Sequence, residues 1–269
     1  MFEFERFYNL AFNPFAKTLA ARDACATEDM RQVHARLDHL ARTGGIGLLT
    51  ADPGMGKTFA VRAWAAKLNP NTSRLVYTCL STVSGVEFYR QLCMELGIAA
   101  PFKKVDMFRD LQACLRHLAD EKRVRVTVVL DEAQYLSPQV LQDLKMLTNF
   151  DMDSRDCFSL LLVGQSTLVQ QLSRQPYEAL RQRIIVHYQM AGLDEAATAA
   201  YVREMLSKAG GDPGIFDDAA LASAHGASGG SVRRLNAVVT NALMIGMQQQ
   251  ARAVTAEMVR SAAEQAWLL

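Results

Sequence analysis

Two stretches concentrate the residue types that handle phosphate: LLTADPGMGKTF at residues 48–59 and VTVVLDEAQYL at residues 126–136. A glycine-rich turn between a strand and a helix lets successive backbone N–H groups surround a polyphosphate, with the helix N-terminus adding its dipole. Set against the pattern G-x-x-x-x-G-K-[ST], Gly56 stands where a side chain would block the phosphates. Lys57 would reach the β- and γ-phosphates, and the Thr58 hydroxyl would hold Mg²⁺. Asp52, Pro53, Gly54, Met55 and Phe59 complete the segment that would wrap the nucleotide, ATP. Ala51 replaces the first glycine of the pattern, a substitution tolerated unless that position needs φ > 0. In the second stretch an apolar run ends in Asp131-Glu132. There the aspartate would hold Mg²⁺ through water, and the glutamate would orient and deprotonate an attacking water. The plainer readings are a coincidental glycine-rich loop and two acids that merely end a strand. Both weaken when the motifs occur in one chain.

Such groups need a rigid frame. Short β-type runs at about 46–50, 74–80, 124–130, 158–164 and 183–190 alternate with helical patterns. Helices are predicted over 57–68, from Ser84 with its capping partner Glu87 to a stop at Gly97, over about 106–122, and from Ser137-Pro138 onward. Five strands with helical crossovers predict an α/β fold, a five-stranded parallel sheet with helices on both faces. From Gly192 the strands stop and four helical patterns follow, separated by Gly or Pro. The expected division is residues 1–191, an N-terminal segment plus nucleotide-binding domain, and residues 192–269, a small helical lid.

Composition narrows the classes. The chain has 269 residues, half of them hydrophobic, and a formal net charge of +1, so any nucleic-acid surface must be a local patch. Cys25, Cys79, Cys93, Cys114 and Cys157 form no CxxC pair, which suggests reduced thiols. No apolar run is long enough to span a bilayer, and the acid-bearing N-terminus does not read as a signal peptide. A cytoplasmic location without membrane partners is the expectation. The five histidines lack zinc spacing, and DMDSRD places Arg155 at a ligand position of a calcium loop, so it reads as a solvated turn. Ser166 lies in no GxSxG elbow, so acyl transfer has no support.

GLLTADPGMGKT, VVLDEAQYL, LLLVGQSTL, EALRQRI and GGSVRRLN together resemble an AAA+ P-loop ATPase across nearly the whole chain. FYNLAFNPF, LVGQ and RQRI resemble the branch shared by ExeA-type ATPases and transposition helpers of the TnsC, TniB and MuB type. LKMLTNFDMDSRD looks most like helpers encoded beside transposases. The resemblance implies that Gln165 is the polar sensor holding water or the γ-phosphate; the bland alternative is a loop glutamine bonded to backbone. It implies that Arg181 or Arg183 acts as a finger on a neighbouring subunit's nucleotide, although one of them would serve equally as an ion-pair partner of Glu178 or Asp153. Arg233 matches the second sensor, at the start of a lid helix, while Arg234 reads as a surface charge. The segment around Tyr8, Phe12 and Phe15 resembles one that packs near adenine, or else a hydrophobic clasp over the core. A finger acting in trans implies a homo-oligomer with ATP sites between subunits.

Three functional classes follow from the resemblance. The first is a regulator of transposition that assembles on duplex DNA without sequence preference and recruits or activates a transposase. Lys103, Lys104 and Arg109 of APFKKVDMFRDL are its candidate DNA contacts, with an exposed basic turn as the alternative. The second is an ATPase of a secretion or cell-envelope machine. Relatives of that kind usually continue beyond the lid into a membrane span, whereas this sequence stops at Trp267-Leu268-Leu269, which turns the expectation toward DNA. The third is a nucleotide-gated binding module with little turnover, favoured only by Ala51 and opposed by Glu132.

Overall fold

The computed structural model describes residues 3–79 and 84–266. In chain order the helices are α1 (Glu3–Phe7), α2 (Glu28–Thr43), α3 (Lys57–Ala65), α4 (Gly85–Glu95), α5 (Lys104–Asp120) and α6 (Pro138–Leu147). They continue with α7 (Ser166–Leu172), α8 (Glu178–Arg181), α9 (Glu195–Lys208), α10 (Asp218–Ser228), α11 (Val232–Gln248) and α12 (Ala256–Ala266). The strands are β1 (Gly45–Thr50), β2 (Ser73–Thr78), β3 (Arg125–Leu130), β4 (Ser159–Gly164) and β5 (Ile184–Gln189). Leu80, the expected end of the second strand, and residues 267–269, the end of the last helical pattern, lie outside the described residues.

The chain forms two units. Residues 32–52 and 57–190 make the α/β unit, whose sheet has the order β2-β3-β4-β1-β5 with every pair parallel. Central β1 and β4 are buried at every position, and β3 at all but its first. Helices cover both faces of such a sheet, so its middle strands read as continuous apolar runs. Edge strands β2 and β5 are only partly covered, as their mixed sequences require. The core gathers Leu48, Val128, Leu130, Leu160 and Leu162 from the sheet with Phe88, Leu111 and Leu144 from the helices. Register matters for function: Thr50 pairs with Gly164, and Leu130 with Leu162. The residues that follow these strands therefore emerge along one carboxyl edge, where ligands bind in open parallel sheets.

Local signals account for several boundaries. Ser84 and Glu87 form the predicted capping box on α4, and Gly97 takes φ +68 just after that helix. Ser137 accepts from Val140 N–H at 3.3 Å with Pro138 in the first turn of α6. Helix α2, absent from the sequence reading, buries Val33, Leu37 and Leu40. Gly47 lets it approach β1, since a Cβ there would lie 2.6 Å from Leu40 Cδ2.

Residues 3–31, 53–56 and 191–266 make the helical unit. Its core joins Val202, Leu206, Leu235 and Leu243 with Phe4, Tyr8, Leu10 and Phe15 of the N-terminal segment. The expected division is thereby changed at one end. Residues 3–31, which the sequence reading joined to the nucleotide-binding domain, group with residues 191–266 in this unit. The reason is apolar burial secured by polar anchors: Tyr8 OH donates to Ala251 O at 2.9 Å, and Ala11 N–H donates to Ala209 O at 2.8 Å. Gly246 leaves room for that phenol, because a Cβ there would lie 2.2 Å from Tyr8 Oη. Tyr8, Phe12 and Phe15 thus serve as a clasp on the helical core, the second of the two readings of that segment.

Candidate active site

The loop between β1 and α3 settles the question raised by Ala51. Its side chain is fully buried and its backbone is not in the positive-φ region, so alanine fits without strain. The positive-φ positions are Gly54 (+84) and Gly56 (+95), where glycine is needed. A Cβ at Gly56 would meet nothing within 4 Å, leaving open space beside the backbone where a phosphate would sit.

In the α/β unit, Lys57 opens α3 and is buried, its ammonium donating to Ala51 O at 2.8 Å and Asp52 O at 3.1 Å. Thr58 donates its hydroxyl to Asp131 Oδ2 at 2.7 Å. The same oxygen accepts from Tyr77 OH at 2.8 Å, while Asp131 Oδ1 accepts from Glu132 N–H at 2.9 Å. Asp131 is nearly buried, and both of its oxygens are held. Burial, followed by the bond to Asp131, pushes the Tyr77 hydroxyl well above the usual tyrosine range, so it stays a donor. Mg²⁺ prefers hard oxygen ligands and is commonly bound by one or two carboxylates plus substrate phosphates, not by a cage of protein groups. A hydroxyl and a carboxylate in contact fit that requirement, and no cluster of three or more His, Cys, Asp or Glu suited to a metal occurs among the described residues.

Glu132 follows in the left-handed region, φ 54 and ψ 38, an uncommon conformation for a residue with a side chain. Gln134 Nε2 donates to its Oε2 at 2.7 Å. Gln134 Oε1 accepts from the backbone N–H of Gln165 at 3.0 Å, at the position preceding α7. Ser166 donates to Asp52 Oδ1 at 3.2 Å. The carboxyl edge of the sheet thus brings together Lys57, Thr58, Asp131, Glu132 and Gln165. Tyr77 and Gln134 join them, although sequence reasoning had passed over both. Gln134 was visible in DEAQ, whereas Tyr77 becomes relevant only through the pairing of β2 with β3.

The remaining candidates make other contacts. Arg181 is exposed at the end of α8 and donates to Ser173 O at 3.0 Å. Arg183 is largely covered, ion-paired with Asp153 and donating to Thr148 Oγ1 at 3.1 Å, which is the ion-pair alternative left open for one of the two arginines. In the helical unit Arg233 begins α11 and donates its backbone N–H to Gly54 O at 3.0 Å. Phe59 lies under the Arg62 guanidinium at 5.0 Å. Of the basic segment, Lys103 is exposed, Lys104 pairs with Asp143, and Arg109 is flanked by Asp106 and Asp110 at 3.4 and 3.6 Å. Two of those three charges are therefore largely compensated within the chain.

Comparison with known proteins agrees with this geometry. Residues 39–172 match the family described as "AAA domain". The chain is 32% identical to General secretion pathway protein A of Aeromonas hydrophila over 250 residues, 90% of this chain and 44% of that protein. It is 30% identical to the ATP-dependent target DNA activator B of Escherichia phage Mu over 122 residues, 45% of this chain and 36% of that protein. It therefore spans less than half the length of these relatives. Among solved structures, Cdc6p of Pyrobaculum aerophilum superposes with a TM-score of 0.71 at 17% identity, covering 94% of this chain and 70% of that one, which establishes the likeness of fold. Among the described residues, no helix is long and apolar enough to cross a membrane.

Proposed function

Residues 39–172 of this chain are an AAA-family ATPase domain, and from that premise we propose that the protein is an ATP-driven regulator of DNA transposition. It would assemble in copies on duplex DNA and recruit or activate a transposase. Hydrolysis is carried by one observation: Asp131 Oδ2 meets the Thr58 hydroxyl at 2.7 Å while the neighbouring Glu132 carboxylate is held separately. Mg²⁺, when bound, supplies charge neutralisation on the β- and γ-phosphates. Lys57 presents its ammonium beside the loop carbonyls, where a γ-phosphate would exchange for them. Thr58 and Asp131 offer the metal its oxygens, and Glu132 orients water and takes its proton. Gln165 holds the same water or the γ-phosphate. Arg181, exposed and anchored through the Ser173 carbonyl, is the better placed finger for a neighbouring copy's nucleotide; Arg183 is engaged by Asp153. Arg233 reports the nucleotide from the lid.

The DNA reading draws support from the similarity to a target DNA activator and from LKMLTNFDMDSRD. A second reading, an ATPase of a secretion or envelope machine, is favoured by the longer similarity to General secretion pathway protein A. Filter binding to duplex DNA, with and without a slowly hydrolysed ATP analogue, separates them. Nucleotide-dependent binding that weakens steeply with salt is expected, since it rests on phosphate contacts. Absence of such binding at low salt rejects the DNA role in favour of the second.

A further inference from the structure

We propose that Gln134 is a positioning residue for hydrolysis: one side-chain amide that aims the Glu132 carboxylate and ties it to the start of α7. The proposal rests on the reading of Glu132 as the group that activates water. Both ends of the amide are used, with Nε2 donating to Glu132 Oε2 at 2.7 Å and Oε1 accepting from Gln165 N–H at 3.0 Å. A carboxylate can only accept and a backbone N–H can only donate, so just one orientation of the amide satisfies both. Neither Glu nor Met at this position can do the same.

Two independent features show that the fold accommodates this bridge. Gly164 ends β4 with no positive φ, so its backbone does not call for glycine. Space does: a Cβ there would lie 2.7 Å from Gln134 Oε1 and 2.9 Å from Leu168 Cδ2. Glu132, in turn, holds a left-handed backbone conformation that is unfavourable in an L-residue and persists only where surroundings impose it. The Gln134 amide restrains its carboxylate through Oε2. With Oε2 occupied, Oε1 is the oxygen that receives the proton of the attacking water. Because the other end of the amide grips the Gln165 backbone, the base and the polar sensor are set by one group. A shift of α7 would therefore re-aim the carboxylate.

The test is steady-state Mg-ATP turnover by the full chain, with Mg-ATP affinity measured by titration calorimetry, for the wild type, Glu132→Gln, Gln134→Met and Gln134→Glu. Expected for both Gln134 variants is a fall in kcat of about 10–100-fold, the range typical for loss of an orienting partner, with ATP affinity within about twofold of wild type. Gln134→Glu distinguishes the two contacts: it still accepts from Gln165 N–H but repels Glu132, so it should be at least as slow as Gln134→Met. Wild-type or faster kcat in both Gln134 variants, with Glu132→Gln inactive, overturns the positioning role and leaves Glu132 as the base. Equal losses of kcat and affinity show a merely structural role and also overturn it. Wild-type turnover by Glu132→Gln overturns the reading of the base, and this inference falls with it.

Discussion

Asp131 and Glu132 are neighbours in sequence with opposite mechanical situations. Asp131 is nearly buried, and its two oxygens receive the Thr58 and Tyr77 hydroxyls and the Glu132 N–H. Glu132 turns away through a left-handed backbone. Motif spacing alone singled out Lys57, Thr58, Asp131 and Glu132 as candidates, because phosphate and water chemistry restrict those positions to very few residue types. The turn that sends the two carboxylates in different directions was not legible, since nothing in an Asp-Glu pair specifies positive φ. A prediction belongs to this scale. Glu132→Gly removes the carboxylate but also relieves a left-handed L-residue, a gain of about 1–2 kcal/mol that roughly offsets the chain entropy glycine adds, about 0.5–1 kcal/mol. Turnover should be lost while the thermal midpoint stays nearly unchanged, and differential scanning calorimetry with an ATPase assay checks both. A large drop in the midpoint would show that the side chain stabilises the fold and that the backbone is not strained.

Among the elements, α2 and α3 show how the helix after the phosphate loop is held. His34 on α2 uses both ring nitrogens, Nε2 on Ala60 O at 3.0 Å and Nδ1 on the Lys67 ammonium at 3.2 Å. Trp64 Nε1–H donates to Asp38 Oδ1 at 2.8 Å alongside. The ring must be neutral to accept from Lys67. Burial first, and Lys67 next, lower its pKa below the ordinary histidine value, against the opposing pull of Ala60 O and Asp38. The unfolded chain therefore binds the proton more readily than the folded one, and stability is retained above the unfolded histidine pKa, near 6.5, and declines as pH falls through the lowered folded value. Thermal midpoints at pH 7 and pH 5 should differ more in the wild type than in His34→Gln, and equal differences would remove His34 from the account. At this scale the strands, the caps at Ser84 and Ser137 and the stop at Gly97 were readable, because each follows from local periodicity or side chain-to-backbone bonding. Helix α2 carries a Val33, Leu37, Leu40 stripe that the same periodicity would have revealed. It was overlooked because no motif drew attention to it.

At the scale of the whole molecule, the described residues include one large hydrophobic cluster that joins the sheet to its helices and another among α9–α12 with the N-terminal segment. If each ATP site is completed by a neighbouring copy, Arg181→Ala and Glu132→Gln impair different partners of the same site. Each variant alone should be inactive, and a mixture should recover part of the turnover through sites that pair an intact arginine with an intact glutamate. Mixing assays at several ratios measure this, and no recovery at any ratio would sink the trans arrangement.

The sequence by itself determined the five-stranded parallel sheet and the helical region after it, and it singled out Lys57, Thr58, Asp131 and Glu132 as candidates for handling phosphate, metal and water. Alternation of apolar runs and the chemistry of a triphosphate leave few alternatives, and both are local in the chain. Only the tertiary structure decided where residues 3–31 pack, which arginine is tied to Asp153, and that Gln134 and Tyr77 reach the acidic pair. Those outcomes depend on distances between segments far apart in sequence, which strand order and close packing fix and no local pattern encodes.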